Sequence, residues 1–523
     1  MSAIHPDTGT CLKKGWVRTL TLIPPSLNDN TADLDRLLNA LRKELKNDRI
    51  QVDLDLMRKI PSCLRAWNYH VTCLLFKDSS QWMLIHICDP AKSNSLLGLA
   101  VDLGTTRVVL RLLNLMTGKI LSSDAFNNPQ ISVGPDILTR IHSTETKGGL
   151  DLLTTLINTA MDRSIVRLCQ FSGYKPEDIH LMTIAGNTAM THFFLGLDPH
   201  WIIREPYTPV VNHPGVFKAS QLGFTAVKET RVLVFPNAGS YFGGDLIAGI
   251  LFSGLHRQKE LSILVDVGTN AEVVLGNKDW LIGCAGAAGP ALEGGVTRMG
   301  MLAGPGVIDR VYIDPVSREF NVHTISDQPP RGICGSGVID LIAQLFLVGM
   351  IDIRGKLLPE MCREHLVEKN GLAHLVVVSA DQSATSKDLS ISQADIDSFI
   401  RSKAAMYTIL ETITQRVGVN QSELPCFYIA GTFGSFIDPR SAITIGMIPD
   451  LPLDHYCSLG NSSLGGCTKV LKEVNAIEEI AHIRDSITYM ELNVNHEFMN
   501  RLSAAKFLPH TDPEKFPSVR RRD

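Results

Sequence analysis

Leu99-Ala100-Val101-Asp102-Leu103-Gly104-Thr105-Thr106 is the stretch on which the fold turns, because it recurs as Leu261-Ser262-Ile263-Leu264-Val265-Asp266-Val267-Gly268-Thr269-Asn270. Each copy is a short apolar run, then Asp-x-Gly-Thr, then a second apolar run. After the first come Val108, Val109, Leu110, Leu112 and Leu113, a Thr117-Gly118 turn and Ile120-Leu121; after the second come Val273-Val274-Leu275, a Gly276-Asn277-Lys278-Asp279 turn and Trp280-Leu281-Ile282. Both copies read as strand, tight turn and hairpin. A unit of this kind met twice predicts a duplicated domain with a cleft between its halves.

At each Asp-x-Gly-Thr bend several backbone N–H groups must converge, which only glycine and small polar residues permit; the result is a cradle for phosphate. Gly104 and Gly268 supply the bend, and Thr105, Thr106, Thr269 and Asn270 add side-chain donors. Asp102 and Asp266, facing each other from the two halves, are placed to hold hydrated Mg2+ through its water shell and so to act as the catalytic carboxylates. One such turn on its own is as well read as an ordinary bend; two in matched context point to nucleotide hydrolysis or transfer. There is no Gly-x-x-x-x-Gly-Lys-Ser/Thr, and a hairpin rather than a helix follows the turn, so a Walker-type loop is excluded. A third element, Phe427-Tyr428-Ile429-Ala430 running into Gly431-Thr432-Phe433-Gly434, lets backbone approach a flat ring. Gly332-Ile333-Cys334-Gly335-Ser336-Gly337 opens a helix whose amino end favours anions, with Gly335 as the candidate contact. The set resembles the actin, heat-shock chaperone and sugar-kinase superfamily of ATP-binding folds. That resemblance implies an α/β protein: a duplicated actin-like or sugar-kinase-like ATPase domain with an interdomain nucleotide cleft, preceded by a small α+β domain.

With 523 residues, 44% hydrophobic and 20% charged, the chain is long enough for two or three cores. A net charge of -4 speaks against nucleic-acid binding by phosphate neutralisation, and the one basic cluster, Arg520-Arg521-Arg522, reads as a solvated tail. The longest apolar candidate, Val338 to Ile351, is broken by Asp340 and Gln344, and Met1 to Lys14 has no signal-peptide core. The expectation is a cytoplasmic protein with no membrane partner. Eleven dispersed cysteines without a Cys-x-x-Cys read as reduced thiols, and no iron–sulfur cluster is expected in this chain.

Four segments follow from the patterning: a small α+β linking domain at 1–95, the two ATPase halves at 96–260 and 261–500, and an extended tail at 501–523. In the first, Leu34, Leu37-Leu38, Leu41 and Leu45 predict an amphipathic helix over Asp33 to Lys46. In the second, Ala185-Gly186-Asn187-Thr188 opens a helix; Asn187 and Thr188 either reach the phosphates or hinge, or Thr188 is the helix cap. His192 reads as a helix-face histidine, not a metal ligand. In the third, Gly283 to Gly295 has too many small residues for a core strand, so backbone must pass close to something there. Ser392-x-x-Asp395 starts a long helix ending at Gly418, placed beneath the adenosine pocket. Its Arg401 and Lys403 are read as nucleotide contacts or as solvated helix charges.

Val265 to Glu272, Ala288 to Gly295, Gly332 to Gly337, Ile391-Ser392-Gln393 with Arg401-Ser402-Lys403-Ala404-Ala405, and Gly460-Asn461-Ser462-Ser463-Leu464-Gly465-Gly466 together resemble the ATP-dependent reductive activators of corrinoid proteins. The resemblance covers about 96 to 510, with 12 to 90 similar to the family's linking domain. It implies rescue of a methyltransferase corrinoid from cob(II) to cob(I), with ATP and Mg2+ as cofactors, a corrinoid protein as partner and a homodimeric state. It assigns Asp102, Gly104, Thr105 and Thr106 to the first phosphate site, Asp266, Gly268, Thr269 and Asn270 to the second, and Gly431 and Gly434 to adenosine, with Thr432 between them. The chain departs from the family in lacking an iron–sulfur module, which implies a separate ferredoxin-like electron donor or a module removed from a longer protein. Arg107 and Thr432 stand where relatives more often have Thr and Gly. A small-molecule kinase, a nucleotide-gated scaffold, and an activator of a dehydratase or aryl-CoA reductase are the alternatives.

Overall fold

The computed structural model describes residues 15–78, 81–268, 271–286, 297–369, 371–431, 437–490 and 496–519. Its contacts divide the chain into two compact units: one comprises the described residues up to Phe252 together with Ser462–Ser486, the other Ser253–Asn461 and the residues from Ile487 onward.

The first unit opens with strands β1 (Val17–Thr21), β2 (Ile50–Val52), β3 (His70–Lys77) and β4 (Trp82–Cys88), in sheet order β1-β3-β4-β2. The predicted amphipathic helix spans Asp33–Leu45 and buries Leu37, Leu38 and Leu41. A larger sheet follows: β5 (Leu97–Leu103), β6 (Arg107–Asn114), β7 (Ile120–Asn127), β8 (Ile179–Gly186), β9 (Gly215–Lys218) and β10 (Arg231–Val234), ordered β7-β6-β5-β8-β10-β9. Strand alternation decides what covers each face. Leu97, Leu99, Val101 and Leu103 join the core built on helix Gly149–Ser172, while Gly98, on the other parity, lies against Leu471 of helix Ser462–Lys472. That helix fastens the small domain as well, since the Trp16 indole donates to the Val470 carbonyl at 2.8 Å.

The second unit repeats the arrangement. Its β11 (Ser262–Val267), β12 (Ala271–Gly276) and β13 (Leu281–Gly286) form the meander. Two small sheets follow, β14 (Val307–Ile313) with β15 (Phe320–Thr324) and β16 (Gly332–Ile333), then β17 (Leu366–Lys369) with β18 (Leu372–Val378) and β19 (Leu389–Ser392). The main sheet is completed by β20 (Cys426–Ala430), β21 (Tyr456–Gly460) and β22 (Ile487–Tyr489), in order β21-β20-β11-β12-β13-β22. The order β7-β6-β5-β8-β10 is therefore matched strand for strand by β13-β12-β11-β20-β21. Helix Gln393–Arg416 starts at the expected capping box of Ser392 and Asp395 and packs on β12 and β13.

Three expectations are corrected here. The segment 261–500 is not one continuous half, because helices Ser462–Lys472 and Ala476–Ser486 return to the first unit. Residues 501–519 are not an extended tail: Ala505, Leu508 and Phe516 are buried in the second unit's core. And Gly283 to Gly286 do lie in a strand, β13, with Cys284 buried on it; helix Gln393–Arg416 packs on this strand. Residues 287–295 of that stretch lie outside the described residues. No helix among the described residues is long and apolar enough to cross a membrane.

Candidate functional site

In the first unit β5 carries Asp102 to the carboxyl edge of the sheet, where parallel β8 ends in register, Asp102 opposite Ala185 and Leu103 opposite Gly186. Ligand sites in such sheets gather at that edge. At Gly104 a Cβ would stand 2.3 Å from the Arg107 carbonyl oxygen, so only glycine closes this hairpin. Asn128 braces the turn, its amide donating to the Gly104 carbonyl at 3.0 Å and its backbone N–H to the Thr106 carbonyl at 2.8 Å.

Asn187, the first residue beyond β8, uses both ends of its amide. Its Oδ1 accepts from the Met190 N–H at 2.9 Å, and its Nδ2 donates to the Thr105 hydroxyl at 3.0 Å. Asn187 is thus the cap of helix Thr188–Leu195, and of the alternatives for Thr188 the capping one is overturned: the Thr188 hydroxyl donates instead to the Gly239 carbonyl at 2.9 Å. His192 is a buried, satisfied histidine, with Nδ1 2.7 Å from the Thr188 carbonyl and Nε2 accepting from the Val210 N–H at 3.0 Å.

A carboxylate absent from the sequence reading joins this cluster. Asp245 opens helix Gly244–Ser253. A Cβ on Gly243 would lie 2.4 Å from Asn187 Cα and 2.5 Å from Asp245 Oδ1, so the carboxyl sits against the Asn187 backbone. Burial pushes the Asp245 carboxyl up to about 7, and the neighbouring Asp102 charge adds to the shift. Buried Asn237 accepts from the Gly244 N–H at 3.1 Å through Oδ1, leaving its Nδ2 without a partner. The signal for Asp245 was Gly243-Gly244-Asp245 ahead of the apolar run Leu246-Ile247-Ala248, a small-residue approach to a helix amino end.

In the second unit Asp266 on β11 lies opposite Glu272 of β12 and Ala430 of β20. Gly431 has φ 90°, and a Cβ there would fall 2.8 Å from Asp266 Oδ1 and from the Val267 carbonyl oxygen, so the predicted ring-contact glycine abuts the second carboxylate. Gly268 ends the described part of this turn; Thr269, Asn270, Thr432 and Gly434 lie outside the described residues. Gly335 does open a helix, Gly335–Leu347, and that helix packs on β14, with Cys334 Sγ donating to the Ile308 carbonyl at 3.3 Å. Lys403 is neither a nucleotide contact nor a solvated charge. It is fully buried, and its ammonium donates to the Gly446, Phe507 and Pro509 carbonyls at 3.3, 2.7 and 2.6 Å.

For phosphate and hydrated magnesium the first cradle fits on its own evidence: a carboxylate at a glycine-closed turn, hydroxyl and amide donors around it, and an orphaned buried amide beside a helix amino end. Among the described residues, the one grouping of three side chains spaced for direct metal ligation, Glu319, Glu364 and His365, lies elsewhere, on the β14–β15 turn and the segment before β17.

The doubled meander and its acidic strand ends define an α/β protein of the ASKHA class. Family models place it within that class: the C-terminal domain of RACo, the ASKHA domain, matches residues 260–520, the RACo middle region 97–258, and the RACo linker region 16–93. The chain belongs to the RACo family. It is similar to the solved structure of a reductive activator for corrinoid, iron–sulfur protein, with 36% identity and a TM-score of 0.89 over 99% of this chain and 82% of that one. Corrinoid activation enzyme RamQ of Eubacterium limosum is 29% identical over 472 residues, 86% of this chain and 78% of the relative. A Co(II) methylated amine-specific corrinoid protein reductase of Methanosarcina barkeri is 26% identical over 299 residues, 52% of this chain and 50% of the relative.

Proposed function

We propose that this protein reductively activates a corrinoid protein, returning cob(II) to cob(I) in a methyltransferase system at the expense of ATP. The observation that carries the reading is likeness along the whole chain to a reductive activator for a corrinoid protein, joined to a hairpin in each unit whose first strand carries an Asp near its end, Asp102 and Asp266. Asp102 at the first turn would hold magnesium through its water shell, and the ion would neutralise phosphate charge there; Asp266 is proposed for the same role at the second turn. The Gly104 and Gly268 turns and Thr105 bind phosphate oxygens, and Gly431 admits the adenine ring. Water attacks the terminal phosphorus, ADP leaves, and Asp245 takes the proton that water loses.

The electron would come from an iron–sulfur group of ferredoxin type, carried by a separate protein or by a module of a longer form of this chain. Nucleotide binding contributes a coupling free energy: it favours the complex in which cob(II) is more easily reduced. A homodimer is part of the same reading.

The test is anaerobic. A cob(II) corrinoid protein and a low-potential chemical reductant are mixed with the chain, and the visible spectrum is followed with and without MgATP. ATP-dependent cob(I) supports the proposal; a spectrum indifferent to ATP overturns it. Asp245 also favours a second reading, phosphoryl transfer to a small-molecule hydroxyl, since such a kinase needs a carboxylate base of this kind. Its signature is a phosphorylated product in place of free phosphate.

A further inference from the structure

The serines of Gly460-Asn461-Ser462-Ser463-Leu464-Gly465-Gly466 have no part in the site as described so far. Ser462 and Ser463 begin helix Ser462–Lys472, of 11 residues. They are 1% and 6% exposed, and neither hydroxyl has a hydrogen-bond partner. A buried hydroxyl left unpaired costs free energy, and two at one helix end need a reason.

The packing of this helix within the first unit says where they point. Cys467 Sγ donates to the Val101 carbonyl at 3.3 Å, while the Thr183 hydroxyl donates to the Cys467 carbonyl at 3.0 Å. Four residues later Leu471 touches the Gly98 position. The helix therefore runs from the carboxyl edge of β5 toward its amino edge. One turn before Cys467, about 6 Å further along the axis, Ser463 reaches the edge where β5 delivers Asp102 and β8 delivers Asn187. Side chains in the first turn lean toward the helix amino end; Ser463, on the line of Cys467, faces the β5–β8 edge, and Ser462, on the line of Gly466, faces the start of helix Gly244–Ser253 beside it. The axis is fixed closely: a Cβ on Gly466 would stand 2.2 Å from the Ala248 carbonyl oxygen, on the helix that begins with Gly244 and Asp245.

We propose that Ser462 and Ser463, with the amino end of their helix, bind an oxyanion of the nucleotide's phosphate chain. The helix end favours negative charge and the hydroxyls supply donors already stripped of water. This rests on the ATP reading above and adds residues that neither Asp-x-Gly-Thr turn contains.

The test uses the full chain carrying Ser462→Ala and Ser463→Ala together, beside wild type. Without ligand the variant melts at the wild-type temperature or above it, because no hydrogen bond is lost. MgADP and, separately, inorganic phosphate are titrated by calorimetry; each binds about tenfold more weakly to the variant, and KM for ATP rises by the same factor with kcat largely kept. Equal affinities in the two proteins overturn this inference and leave the ATP reading standing. A wild type that does not hydrolyse ATP overturns that reading, and the phosphate titration then decides the serine site: loss of binding in the variant supports it, while equal or absent binding in both proteins sinks it. Ser463→Ala alone gives the same comparison should the double variant fold poorly.

Discussion

The Asn187 side-chain amide donates to the Thr105 hydroxyl at 3.0 Å while its oxygen caps helix Thr188–Leu195. One side chain thus joins the first Asp-x-Gly-Thr turn to the end of β8 and to the start of a helix. The two jobs are separable. Asn187→Ala loses both and costs about 1 kcal/mol of stability through the cap alone. Asn187→Asp keeps the capping oxygen, loses the donor and sets a negative charge beside the phosphates, so KM for ATP rises several-fold at near-wild-type melting temperature. Steady-state kinetics with thermal melts on both variants separates the roles.

Asp102→Ala and Asp266→Ala are expected to abolish ATP turnover with the fold intact, because each carboxylate ends a strand whose packing is carried by its neighbours. Asp245→Asn keeps the size of the side chain and removes the proton acceptor. Its kcat falls by about a hundredfold or more, with MgADP affinity nearly unchanged. Phosphate release assays with nucleotide titrations check all three, and full turnover in Asp102→Ala and Asp266→Ala would sink the site.

Lys403 ties two carbonyls of the C-terminal segment, Phe507 and Pro509, to that of Gly446, with no carboxylate in the set, and burial pulls its pKa well below the ordinary lysine value. Lys403→Ala leaves those carbonyls unpaired and opens a cavity, at roughly 3–5 kcal/mol. Lys403→Met restores most of the volume, so its smaller loss isolates the carbonyls. Denaturant melts give the energies, and proteolysis should cut the 504–519 segment first in both variants.

Gly466→Ala reverses an ordinary rule. Alanine in a helix interior normally gains about 1 kcal/mol over glycine. Here its Cβ would meet the Ala248 backbone, oxygen at 2.2 Å and carbon at 2.6 Å, and backbone cannot step aside as a side chain can. The variant is expected to melt below wild type; a higher melting temperature would contradict the helix contact.

His86 and His180 stack with ring centroids 4.0 Å apart. Burial lowers them to about 4 and about 3, and His510 likewise to about 4. A base with a depressed folded pKa stays neutral in the native state while the unfolded chain takes up its proton near pH 6.5. The unfolded state therefore binds more protons between about pH 6.5 and 4, and stability falls as pH falls through that window, by at most ~1.4 kcal/mol per pH unit for each histidine. Melting curves from pH 7.5 to 4.5 test this, and His86→Phe, keeping a flat ring, should flatten the slope.

The repeated Asp-x-Gly-Thr motif made the doubled meander legible, and with it Asp102, Asp266 and the order of three strands in each sheet, because a hairpin is written in local alternation and turn residues. The capping box at Ser392 and the leucine face of Asp33–Leu45 were readable for the same reason. Local pattern misled where the deciding partner was distant. Lys403 looked like any helix charge until the carbonyls of Phe507 and Pro509 closed over it, and the final segment looked unstructured because its few apolar residues, Leu508 and Phe516 among them, fill a core made elsewhere.

What the sequence by itself determined is the family, the duplication and the two carboxylates that end equivalent strands, since these depend on neighbours a few residues apart. Only the tertiary structure decided that Asp245 joins Asp102 and Asn187 at one sheet edge, and that helix Ser462–Lys472 leaves its sequence neighbours to pack on β5 and β8. The physical reason is that parallel strands bring together residues far apart in the chain. Burial then sets the charge and the hydrogen-bonding of what they bring, and neither is written in any short stretch of residues.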